Sequence, residues 1–138
     1  MKTDPWNYTT PPNLAQFEAL ARDAYASMPE NFRALCGNVV IAVADFAEED
    51  VLAGLGIDDP FELTGLYEGV DVTEKSVSDP VAFPDHVRLY RRPILEEWIE
   101  RGDVTLGALI AHVLVHEIGH HFGLSDDDMH AIEEGAEL

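Results

Sequence analysis

The chain has 138 residues and sets 27 Asp and Glu against 8 Lys and Arg, a formal charge of -19. Such a balance repels phosphate backbones and anionic lipid headgroups, which argues against nucleic acid and membrane as partners. With 46% hydrophobic residues and one cysteine, Cys36, the chain is too apolar for a disordered acidic tail and can form neither an internal disulfide nor a cysteine-rich metal site.

Its length suits one domain, expected over residues 1–138, with 1–12 as a loosely ordered N-terminal segment. Met1 to Asn13 has no apolar run of the kind a signal peptide needs, and no stretch approaches the roughly 20 apolar residues of a membrane span. The cytoplasm is the expected location. The acidic residues are scattered rather than blocked, so solubility explains them first and attraction of basic partners second.

Asn13 stands as an N-cap before Leu14, Phe17, Leu20, Ala21 and Ala24, whose spacing predicts a helix to about Met28, stopped by Pro29. Val39 to Val43 reads as a short buried strand, and Ala47 to Gly54 as one or two helical turns. A second strand is expected over Phe61–Gly69, then a polar loop from about Asp71 to Asp85. Val87, Leu89 and Arg91 alternate with Arg88 and Tyr90 as a third strand, and Pro93 opens a helix through Ile99 that Gly102 breaks. Thr105 to about Phe122 is apolar on more than one face, which predicts a buried central helix ended by Gly123. Ser125 and Asp126 can cap a last helix over about Asp127–Glu134. The fold class that follows is α+β, a small sheet packed on a buried helix.

Within that helix the sequence reads His116-Glu117-Ile118-Gly119-His120, an H-E-x-x-H motif, followed by Gly123 and Asp126. Residues i and i+4 lie one above the other, about 6 Å apart in rise, so His116 and His120 can direct two imidazoles at one ion. Catalytic zinc takes a third protein ligand and leaves one position for water. Gly123 can turn the chain off the helix axis and return Asp126 to the metal, with His130, Glu133 or Glu134 as alternatives. Glu117, about 100° around the helix from His116, stands where a general base is needed. Tyr67, Tyr90 and His121 are candidates to stabilise an oxyanion.

Each residue has a plainer role beside the chemical one. The motif histidines could be hydrogen-bonded core residues, yet a helix burying so many polar groups would need a partner for each. His112 lies about 12 Å along the axis from His120, too far to share an ion with it, and reads as structural. His121 reads as packing, Asp126 could simply cap the last helix, Cys36 reads as a buried thiol, and Arg91 and Arg92 as ion-pair partners of the many acids. Gly119, about 1 kcal/mol less favourable than Ala in a helix, suggests that something packs close there.

The run from Glu62 to Glu134, with Leu66-Tyr67-Glu68-Gly69, Val87-Arg88-Leu89-Tyr90-Arg91-Arg92-Pro93 and His116 to Gly123 followed by Ser125-Asp126, resembles the small bacterial zincin-like metallopeptidases. The resemblance implies a minimal zincin fold, zinc on His116 and His120 with Asp126 as third ligand, and a peptide or protein substrate. The run is also similar to that of metzincins, but only 12 residues follow Asp126, which leaves no room for their downstream methionine turn. Two readings stand: a zinc-dependent peptidase with Glu117 as base, and a non-catalytic zinc-stabilised acidic module that binds a protein partner.

Overall fold

The computed structural model describes residue 7 and residues 9–69 and 84–136. Most of the expected 71–85 loop and of the 1–12 segment lies outside the described residues. Helix α1 (Leu14–Ala26) starts on a reciprocal cap: Asn13 Oδ1 accepts from the Gln16 N–H at 2.8 Å and Gln16 Oε1 accepts from the Asn13 N–H at 2.9 Å. Its buried residues, Phe17, Ala21 and Ala24, form one stripe.

Three features differ from the sequence expectation. A short helix, α2 (Glu30–Cys36), follows Pro29 and buries Phe32 and Cys36. After β1 (Val40–Ala44) and α3 (Glu49–Gly54), the expected strand over 61–69 contracts to β2 (Gly65–Glu68). Asp59 accepts from the Phe61 N–H at 3.0 Å and starts a 3₁₀ turn over Pro60–Glu62, which takes the first residues of that strand. Strand β3 (His86–Tyr90) ends before Arg91, and α4 (Arg91–Arg101) begins there, so Pro93 falls in its first turn, where a missing N–H costs nothing.

The sheet has the order β1-β3-β2, with β1 parallel and β2 antiparallel to β3. Val87 and Leu89 of the central strand have no exposed surface and join the main core. Arg88 and Tyr90 alternate to the other side, where Tyr90 packs with Ala47 and Leu52 in a smaller cluster. Arg91 holds this end of the sheet through Asp45, at 2.8 Å, and the carbonyl of Pro12, at 2.7 Å.

Helix α5 (Leu106–His121) is capped by Thr105, whose hydroxyl accepts from the Ala108 N–H at 3.1 Å. It touches α1, β2, β3 and α4, and Ile110, Leu114, Val115 and Ile118 are wholly buried. At its end the Gly123 N–H reaches the His120 carbonyl at 3.2 Å and the Leu124 N–H the Gly119 carbonyl at 2.9 Å, with Gly123 at φ 70°. This left-handed closure satisfies two free carbonyls and reverses the chain. Helix α6 (Asp126–Glu134) then runs back along α5. Its Met129 fills the space that a side chain at 119 would need: a Cβ on Gly119 would lie 2.5 Å from Met129 Sδ. The glycine is there because the two helices meet at it. No helix among the described residues is long and apolar enough to cross a membrane.

Candidate metal centre

The site lies where the central helix is least covered. On α5 the buried residues surround an otherwise apolar rod, and the histidine stripe comes to the surface between α6 and the β2 edge. The His112 and His116 side chains keep 41% and 30% of their exposure, and His120 and His121 are exposed. The His116 and His120 ring centroids are 5.7 Å apart and nearly perpendicular, at 85°. Two imidazoles are thus offered from successive turns of one rigid helix.

Glu117 is half-buried on the other side of His116, in the seam between α5 and β2. Gly65 makes that seam possible: a Cβ there would lie 2.8 Å from Val113 Cγ1 and 3.2 Å from both Glu117 Cγ and the Arg88 carbonyl. Burial raises the Glu117 pKa, partly opposed by the nearby His120. Gly65→Ala is expected to force β2 off the helix, to destabilise by about 1–3 kcal/mol in urea denaturation, and to lower any activity that depends on Glu117. Unchanged stability would show that the seam is loose.

Ser125, not Asp126, caps α6: its hydroxyl accepts from the Asp128 N–H at 3.1 Å, and Asp128 Oδ2 accepts from the Ser125 N–H at 3.3 Å. Asp126 is therefore the first helical residue, exposed, with capping left to its neighbour. Its charge reaches His116. The His116 pKa is lowered first by burial and then by His112, with a smaller push from His120, against which Glu133 and Asp126 pull upward. A neutral imidazole is the form that binds metal. His130 and Glu134, two of the alternatives for the third ligand, pair with each other at 3.1 Å on the surface.

Glu133 behaves differently. Among the described residues, the group whose possible ligand atoms all lie within 4.8 Å of one another is His112, His116 and Glu133. Glu133 Oε1 is 2.7 Å from His112 Nδ1 and 3.5 Å from His116 Nε2, and the two imidazole centroids are 4.0 Å apart. This oxygen is shut off from solvent and makes no hydrogen bond among the described residues; the His112 contact is short but misaligned. A buried carboxylate oxygen left without a partner costs about 1–3 kcal/mol or more. An orphaned oxygen beside two imidazoles is a nitrogen and oxygen donor set that suits zinc. Sequence spacing counts Glu133 among the alternatives and leaves His112 out. The only signal for His112 is its place one turn before His116 on the same stripe.

Of the aromatic candidates, Tyr67 stacks on His121, centroids 3.9 Å apart, and donates its hydroxyl to Asp85 Oδ2 at 2.7 Å. Tyr90 is buried in the smaller cluster. Cys36 is a buried free thiol whose pKa burial raises, as expected of a structural cysteine.

A search of curated proteins returns no match. The family described as zincin-like metallopeptidase matches residues 36–136, which takes in every strand and all of α3 to α6. With the α+β architecture and the H-E-x-x-H helix at its centre, the chain belongs to the zincin-like metallopeptidase family.

Proposed function

We propose that the protein is a zinc-dependent peptidase in which His116, His120 and Asp126 hold the metal and Glu117 is the general base. The family supports a metallohydrolase with zinc as its usual metal and peptides or proteins as substrates. The observation that carries the finer reading is the division of labour around one helical turn. His116 and His120 present imidazoles to the surface, while Glu117 is drawn into the α5–β2 seam beside Gly65. A carboxylate fixed beside the ligands, yet turned about 100° from His116, is placed to act on what the ligands hold rather than to join them.

Zinc, when bound, supplies Lewis acidity toward water and a scissile carbonyl. Glu117 takes the proton of the attacking water at its carboxylate and passes it to the leaving amine, so no covalent intermediate is needed. Partial burial favours this role, because it raises the affinity of the carboxyl for the proton it must carry. The Ser125 cap leaves the Asp126 oxygens free for ligation.

Metal removal tests the reading. Dialysis against a chelator is expected to abolish hydrolysis of a quenched-fluorescence peptide library, and one equivalent of zinc to restore it. Hydrolysis that persists in metal-free protein would contradict the proposal.

A further inference from the structure

We propose that His112 Nδ1, His116 Nε2 and Glu133 Oε1 form a second ligand set for a zinc-type cation, one that shares His116 with the set above and excludes it. The exclusion rests on the proposed function; the second set does not.

The set stands on two observations. The first is convergence: the three ligand atoms come from two helices and lie within 4.8 Å of one another. A tetrahedral zinc site with bonds of about 2.1 Å has ligand-to-ligand edges of about 3.4 Å. The separation of 3.5 Å between His116 Nε2 and Glu133 Oε1 is already such an edge. The 2.7 Å contact of Glu133 Oε1 with His112 Nδ1 has to open by about 0.7 Å to reach such an edge, a rotation open to side chains that remain partly exposed.

The second is the orphaned oxygen. A plain Glu–His pair would satisfy Glu133 Oε1 with an aligned N–H from His112, and here the oxygen is sealed from solvent without such a bond. It sits between two imidazole nitrogens, as a carboxylate ligand does.

The two sets cannot merge or fill together. His112 and His120 are about 12 Å apart along the helix axis, and His116 Nε2 has one lone pair to give. His112 itself lies about 140° around the helix from Glu117 and more than a turn away, so an ion drawn toward His112 and Glu133 moves away from the general base. The second set therefore parks the metal in a position inert for hydrolysis. Exchange between the two positions turns on whether Glu133 or the pair His120 and Asp126 engages His116.

The test uses the full chain with His120→Gln and Asp126→Asn combined. Both positions are exposed, so the fold should survive, as circular dichroism will show; should it not, each single variant is titrated under the same criteria. Equilibrium dialysis against Zn²⁺ or Co²⁺, read by elemental analysis, is expected to find one ion per chain still bound, more weakly than in the wild type. Adding Glu133→Gln or His112→Ala in that background should weaken binding at least tenfold.

A double variant that binds no metal, or binds it regardless of Glu133 and His112, overturns the second set and leaves the proposed function standing. A double variant that binds as tightly as the wild type, with Glu133→Gln alone releasing the metal, supports the second set and removes the His120 and Asp126 ligands. A wild-type chain that binds no cation at all overturns both.

Discussion

Glu117→Gln is expected to lower peptide turnover by about 10²- to 10⁴-fold, the usual weight of a general acid–base group, while zinc content and melting temperature stay near wild type. Glutamine keeps the shape and volume that fill the seam beside Gly65 and Val113 and removes only the carboxylate's capacity to accept a proton. It also replaces a group whose charged form burial disfavours, so no loss of stability is expected. The measurement combines initial rates on a peptide library with metal analysis and a thermal scan of the same preparations. Turnover that survives the change removes Glu117 from the chemistry. Zinc lost together with turnover makes Glu117 a ligand.

His116→Ala is expected to have the largest effect on metal binding, because His116 is common to both ligand sets. Loss of an outer hydrogen-bond partner of a ligand costs about 10- to 100-fold in affinity, and loss of the ligand itself should exceed that. Stability follows by linkage. At free zinc of about 100 times Kd, binding stabilises the wild type by about 2.7 kcal/mol, roughly 10 °C in melting temperature for a chain of this size. The variant should melt at the same temperature with and without zinc. A variant that still gains those degrees would place the metal elsewhere.

The parts of this structure that were legible in the sequence are those written locally. Helix α5 declares itself by apolar residues on several faces, and the spacing of His116, Glu117 and His120 fixes their relation on any α-helix. Gly119 and Gly123 point correctly to a close approach and a chain reversal. Helix α2 was not legible, because seven residues starting at Pro29 bury only Phe32 and Cys36 and give no periodic stripe to detect. The start of β2 falls later than composition suggests, because Asp59 and Pro60 impose a 3₁₀ turn on residues whose composition also suits a strand.

The grouping of Glu133 with His112 and His116 depends on how α6 returns along α5 after Gly123, and on Met129 seating against Gly119. Those are packing relations between elements, and spacing along the chain does not carry them. For Asp126, sequence alone left capping and ligation in competition for the same oxygens, and the Ser125–Asp128 box assigns the capping role to other residues.

Metal content tests the account's central claim most directly. Protein purified without added metal and without a histidine tag would be analysed for bound elements and scanned across the zinc absorption edge. The expected result is about one zinc per chain. Folded protein that carries no metal and takes none from added zinc would contradict both the peptidase reading and the second ligand set.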